Sequence, residues 1–596
     1  MEKLRNEIED KHKWSIDDIY SSVDDFNKDY SEVLRMLERI LEMKDTFLVN
    51  ADNFYDLFKL NDLIDIYLSK LYTFSHMNLD VDLDNESAQV LLSRVENLFT
   101  TYQMNTAFVE PMLLTLKKEE LDSFYKENKK LDEYRIAIDE IYRYKDHVLS
   151  EKEEKVLASL SKSLNQSDML HSVLTDSDFD HGMIKNKDNE ELSLTESNYS
   201  LYLKSKDRIL RKNAFKGLYK SYGQFSNTIA SIYGNYVDTK VSIAKIRKYP
   251  DSLTMSLFND LVSKEVYINL IDTVKKNLSS LHDYYAFKKE QSKLDDYSIY
   301  DTYLSTVEKN DKEYSFDEAK ELVLESVKVL GDDYCNIAKN AFDEGWIDVY
   351  PNKGKVSGAY SSGSHVTKPY ILLNYTKTLS DVSTLAHELG HSMHSYYSRK
   401  HNPNATSSYA IFVAEVASTV NELLLSHLLL QKATTKEERQ TILNDLLELF
   451  KATIFRQTMF AEFEYIVHNQ VESDIPITKD SLSEVYLNLV TDYFGTHVII
   501  DKDIQYEWAR IPHFYHNFYV YKYATGLSAA CMIVDNILSG KENAKEDYLR
   551  FLTSGSTLPP LELLKLVGVD MEQPQVIELA ISKFKETLEE LKKECK

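Results

Sequence analysis

The sequence predicts a mainly α protein, and three observations carry that prediction. Glycine and proline number 15 and 10 in 596 residues, well below the typical usage of about 7% and about 5% for two residues that helix interiors exclude. Apolar residues recur at helical spacing through most of the chain. One stretch, Trp346 to Asn374, turns to Gly, Ser, Tyr and β-branched residues and reads as a small sheet.

The elements follow in order. Val23 to Met43, Asn53 to Leu79, Glu86 to Val109 and Glu119 to Arg143 read as long helices with acidic, lysine-rich outer faces. Ser150-Glu151-Lys152-Glu153 carries the capping signature of another. Between about Thr175 and Leu194 the periodicity weakens, and Phe179-Asp180-His181-Gly182 and Asn186-Lys187-Asp188-Asn189 read as turns around short strands. A boundary is expected there, separating a helical lobe over 1–195 from a larger domain over 196–596. Helices resume at Asn198 and run through the 240s, then at Leu261 to Leu278 and Ser315 to Ala341. The sheet-like stretch comes next. A strand there has one of two uses: a structural hairpin, or a free edge on which an extended peptide pairs.

Net charge is −26, from 96 acidic and 70 basic residues. That balance opposes extended contact with nucleic acid or anionic lipid, which call for a basic face. It fits solubility, and leaves open an acidic cavity selective for cationic substrates. The three cysteines, Cys335, Cys531 and Cys595, are far apart and odd in number, so neither a disulfide framework nor a thiolate zinc site is expected. The N-terminus lacks the apolar core of a signal peptide, and no uncharged apolar run approaches about 18 residues. A cytoplasmic location without a membrane span is the expectation.

The chemistry centres on His387-Glu388-Leu389-Gly390-His391, an H-E-x-x-H sequence in a helix-like stretch. Helical spacing puts both imidazoles on one face, where they reach a single Zn²⁺, with Glu388 beside the metal as a base for water. Alone the motif would arise in roughly one of ten to twenty unrelated chains this long. Two histidines leave zinc short of one protein ligand. Glu415 lies in the apolar run Tyr409 to Lys432, where an unpaired carboxylate would cost several kcal/mol. Its distance from His391, 24 positions, lets one helix end at His401-Asn402-Pro403-Asn404 and a second return. Glu422 shares its face and is a candidate to orient a ligand histidine. His394 shares the face of the motif histidines, as ligand support or as ordinary core. Asp381 is a candidate helix cap.

His387 to His394 and Phe412-Val-Ala-Glu415-Val-Ala-Ser-Thr resemble the oligoendopeptidase F family, within the thimet oligopeptidase-like zinc metallopeptidases. So do Trp14 to Tyr20, Gly354 to Gly363 with Pro369 to Tyr375, and Ile511 to Gly526. Together these segments cover nearly the whole chain in order. The resemblance implies a two-lobed helical shell around a deep channel, with a small sheet beside the H-E-x-x-H helix. It implies one zinc per chain on His387, His391 and Glu415, with Glu388 as the catalytic carboxylate of a domain over 196–596. The implied substrates are oligopeptides cut internally, not folded proteins. His513 to Tyr523 holds two histidines and four tyrosines. At helical spacing Tyr515, Tyr519 and Tyr523 would form one stripe with His516 beside it. The resemblance assigns transition-state donors to this segment, and His513, Tyr515, Tyr519 and Tyr521 are the candidates. Two rivals are a carboxypeptidase with the same motif and a non-enzymatic metal-binding scaffold.

Overall fold

A computed structural model describes residues 3–307 and 312–596. It is 71% helical with small sheets only, as the scarcity of glycine and proline requires. The chain divides into two compact units, each assembled from three segments. The first holds Met1–Lys145, Asp311–Leu428 and Ile533–Gly568; the second holds Asp146–Asn310, Leu429–Met532 and Val569–Lys596. This differs from the expected division at residue 195: the unit that carries the H-E-x-x-H helix also contains the first 145 residues.

In the first unit, helices α1 (Val23–Glu42), α2 (Ala51–Asp80) and α3 (Glu86–Thr106) are each started by a side chain. Ser22, Asn50 and Asn85 accept the Asp25, Asn53 and Ala88 amides at 3.2, 2.9 and 3.2 Å, which satisfies amides that have no partner inside the helix. Their apolar faces meet in one core, with Phe26, Val33, Ile40, Phe54 and Val95 among its fully buried members. The helix expected over 119–143 is broken into Lys118–Glu127 and Arg135–Arg143. Asn128 stops the first, because its side chain takes the Lys130 amide at 3.0 Å and holds the backbone extended.

Strands β1 (Met183–Lys185) and β2 (Glu191–Ser193) form the hairpin expected around Asn186–Asn189, in the second unit. Strands β3 (Ile347–Asp348), β4 (Tyr360–Ser362) and β5 (Tyr370–Leu372) form the small sheet of the first, in the order β3-β5-β4. β5 pairs parallel with β3 and antiparallel with β4, and all three of its residues are buried. The Pro369–Tyr375 strand is therefore central and has no free edge; the edge strands are β3 and β4. Tyr370 and Leu372 pack into the same core as α1–α3. Asp348, fully buried, is paired with Arg5 and with Lys355 at 2.7 Å; a buried carboxylate needs both.

The second unit is organised on the 39-residue helix Arg208–Ile246, packed by Arg456–Glu472 and Lys479–Phe494. Many tyrosines lie in this interior, and some of them take hydrogen-bond partners there. Tyr219 and Tyr486 donate to the Glu507 carboxylate at 3.1 and 2.6 Å, and Arg456 neutralises it at 2.7 Å.

Candidate metal centre

Helix α4 (Leu379–His401) begins at a capping box. Thr378 Oγ1 accepts the Asp381 amide at 3.2 Å, and Asp381 Oδ2 accepts the amides of Thr378 and Thr376 at 2.8 and 3.0 Å. Asp381 is thus a helix cap, as its position suggested. Two turns on, His387 and His391 project from one face with their Nε2 atoms 3.2 Å apart. Helix α5 (Ile411–Lys432) brings Glu415 Oε2 to 3.4 Å from His387 Nε2 and 3.5 Å from His391 Nε2. These three side chains are the one group among the described residues whose donor atoms converge as metal ligands would. Ligand bonds of about 2.0–2.2 Å at tetrahedral angles make donor separations of about 3.3–3.6 Å, so the spacing fits a small divalent ion.

The electrostatics of the group call for a cation. Burial pushes His387 down, but Glu415 and Glu422 outweigh it and pull the ring up to about 10. Burial alone would raise Glu415, yet the two histidines hold it well below the usual carboxylate range. Glu422 Oε2 sits 3.4 Å from His387 Nδ1, the nitrogen turned away from the triad, where it orients the ring. Glu388 is buried, and that burial holds its carboxyl above the ordinary range against the pull of His387 and His391.

The two ligand helices touch backbone to backbone. A Cβ on Gly390 would lie 2.6 Å from Ala417 O and from Ser418 Cα, so the second variable position of the motif must be glycine for α5 to come this close. Asn421, fully buried, donates to Ala386 O at 3.2 Å and accepts from the Tyr334 hydroxyl at 3.0 Å. Ser418 donates to Glu415 Oε2 at 3.2 Å. Ser392 meets Ser361 of β4 at 2.8 Å. Sequence reasoning missed all of these; the only signal was small or polar residues at helical spacing from the ligands. His394 turns out to be core: it stacks on Tyr409 at 3.7 Å, and burial pushes its ring down to about 3. Helix α5 is long and apolar enough to cross a membrane by composition, yet more than half of that stretch is packed inside the protein.

This arrangement has relatives. A family model described as Peptidase family M3 matches residues 201–582, and one described as Oligopeptidase F matches 113–180. The chain is 41% identical to Oligopeptidase PepF of Bacillus subtilis over 587 residues, 98% of this chain and 88% of that one. It is 38% identical to an Oligoendopeptidase F homolog of Borreliella burgdorferi, over 99% of both. This chain belongs to the oligoendopeptidase F family of M3 peptidases. Among solved structures, a Chlamydophila abortus protein assigned as a peptidase matches with a TM-score of 0.92 at 36% identity over 100% of both chains. Oligoendopeptidase F from Enterococcus faecium matches at 0.76 and 33% identity, over 96% of this chain and 98% of that one. As an M3 family member the chain is a metal-dependent endopeptidase.

In this M3 peptidase the aromatic segment, part of the second unit, is not the helix whose spacing would align Tyr515, Tyr519 and Tyr523. A short turn spans Pro512–Tyr515, and helix Tyr521–Leu538 begins only afterwards. Phe518 is left-handed at φ 53°, with its amide held by Glu464 at 3.0 Å, and the Asn517 amide donates to Tyr236 at 2.8 Å. Two candidates are corrected by this path. Tyr515 is buried against His171, Tyr236 and Tyr233, with ring centroids 4.7, 5.4 and 5.7 Å away. Tyr521 is fully buried, with its hydroxyl directed at Asp260 at 3.5 Å. His513 and Tyr519 are partly exposed, and both rings lie against that of Tyr523, at 6.1 and 5.5 Å.

Proposed function

We propose that this chain is a zinc-dependent, cytoplasmic endopeptidase that cuts internal bonds of short peptides. The observation that carries the zinc assignment is the set of donor separations, 3.2, 3.4 and 3.5 Å among two imidazoles and one carboxylate, which suits a tetrahedral N₂O site with one open position. The short-peptide assignment draws on the relatives' names, Oligopeptidase PepF and Oligoendopeptidase F. The cytoplasmic one draws on three cysteines that form no disulfide.

His387, His391 and Glu415 would hold a divalent ion, which would supply a Lewis acid for activating water and polarising the scissile carbonyl. The chain's own residues do the rest. Glu388 takes a proton from the attacking water and returns it to the leaving amine. Glu422 keeps the His387 ring in register. His513 and Tyr519, the partly exposed candidates of the aromatic segment, are proposed as the donors to the carbonyl oxygen as charge develops on it. The peptide lies extended along the β4 edge, where backbone pairing holds it without regard to side chain.

The test is Glu388→Gln on end-blocked, quenched-fluorescent peptides. One metal per chain retained, with kcat down at least about 100-fold, is the expected result. Full activity in that variant would overturn the mechanism. Cleavage that requires a free C-terminus would make the chain a carboxypeptidase.

A further inference from the structure

A cavity of about 230 Å³ opens beside the sheet, between the chain entering β4 and the first turns of α4. Gly358 and Ala359 form one side, Asn374 and Tyr375 reach it just after β5, and Asp381 and Thr384 enter from the helix. Thr384 lies three residues before His387, so the cavity sits one helical turn from a metal ligand and at the start of the edge strand. It is smaller than sites for small-molecule ligands, about 300–1,000 Å³, and suits a single side chain.

Its hydrogen-bonding chemistry is one-sided. Asn374 uses both Nδ2 protons on Val356 O and Gly358 O, each at 2.9 Å. Thr384 donates to Ser380 O at 3.0 Å, and the Tyr375 hydroxyl donates to Tyr314 O at 2.9 Å. Every side-chain donor in the lining is therefore spent on the protein's own carbonyls. Among the lining side chains what remains are acceptors: Asn374 Oδ1, Thr384 Oγ1 and the Asp381 carboxylate. Asp381 takes its four capping bonds on Oδ2, from the amides and hydroxyls of Thr376 and Thr378. Among the described residues no lysine or arginine pairs with it.

We infer that this cavity is a substrate subsite for a basic side chain, lysine or arginine, at one position near the scissile bond. The inference rests on the endopeptidase reading and narrows its substrate class. An ammonium brings three donors and a guanidinium five, with no acceptor to oppose the lining. A glutamate would set acceptor against acceptor, and a leucine would strip water from Asp381 and return nothing. The net charge of −26 adds a field of the same sign. The acidic cavity left open by the composition thereby acquires an address.

The experiment uses the metal-loaded full chain and a set of peptides blocked at both ends, with Lys, Arg, Leu or Glu walked through the positions flanking the cut bond. Wild type, Asp381→Asn and Thr384→Phe are compared, each with its thermal melt. At one position Lys and Arg should exceed Leu about fivefold in kcat/KM, with Glu below Leu. Asp381→Asn keeps an oxygen for the cap, and should bring the Lys-to-Leu ratio close to one. Thr384→Phe fills the cavity and should depress every long side chain at that position. No basic preference in wild type at any position would overturn the subsite. So would a preference that survives in an Asp381→Asn enzyme with a native melt, or, if that variant melts low, in Thr384→Phe. Wild type that cuts none of the peptides would instead sink the endopeptidase reading itself.

Discussion

A carboxylate in an apolar helix costs several kcal/mol unless a cation meets it, and Glu415 meets two ring nitrogens at 3.4 and 3.5 Å. The cost of burying it and the attraction of the histidines have opposite signs, and the histidines win, since Glu415 stays ionised well below the usual range. Glu415 and Glu422 together pull His387 toward its protonated form, so a divalent ion would compete with a proton for this ring. Glu422 would act on a bound metal through His387, whose Nδ1 it meets at 3.4 Å. Glu422→Ala should therefore weaken zinc affinity about 10- to 100-fold, read by competition with a chromogenic chelator. An unchanged affinity would reduce Glu422 to a bystander. These roles were legible in the sequence because i, i+4 and i, i+7 spacings on a helix are local geometry. The buried positions of Tyr515 and Tyr521 were not, because they depend on what lies across from them: His171, Tyr236 and Asp260, at sequence separations no helical periodicity spans.

At the scale of elements, the centre depends on how closely α5 approaches α4, and Gly390 sets that distance. Gly390→Ala would gain about 0.8–1.0 kcal/mol of helix propensity. Its Cβ, however, would meet backbone at 2.6 Å, and overpacking of a filled interface costs about 1–3 kcal/mol. Backbone cannot step aside as a side-chain tip can, so the clash decides the sign. The variant should unfold at lower denaturant and bind zinc more weakly, because Glu415 moves with α5. A variant as stable and as tightly metallated as wild type would show that the helices have room to part. The same dependence on neighbours explains where element reading failed. The 119–143 helix broke at Asn128, whose side chain offers the backbone a competing bond. The aromatic segment is irregular from His516 to Val520, where the left-handed Phe518 gives its amide to Glu464. The strand at Pro369–Tyr375 was rightly read as strand, but that it is central and exposes no edge is a property of the sheet.

At the scale of the whole molecule, the chain passes between its two units after residues 145, 310, 428, 532 and 568. The unit with the metal ligands is built on residues 1–145 as much as on the motif. Trp14 packs edge-on to Tyr370 at 6.3 Å, the Ser15 amide donates to Gly345 O at 2.7 Å, and Arg5 neutralises Asp348 beneath the sheet. A protein cut to residues 196–596 should thus be insoluble or hold no stoichiometric zinc, although the M3 family model itself starts at residue 201. A soluble, fully metallated fragment would refute that dependence. Composition alone determined that the protein is helical, and local spacing with the cost of buried charge singled out the two histidines and Glu415 whose donor atoms converge, since both follow from backbone periodicity and the energetics of burial. The tertiary structure decided which aromatic residues are core, which strand is the edge, why the motif needs glycine at 390, and that the first residues complete the metal-bearing unit. Those outcomes rest on packing between segments that lie from about ten to several hundred residues apart, where no local pattern in the chain records the partner.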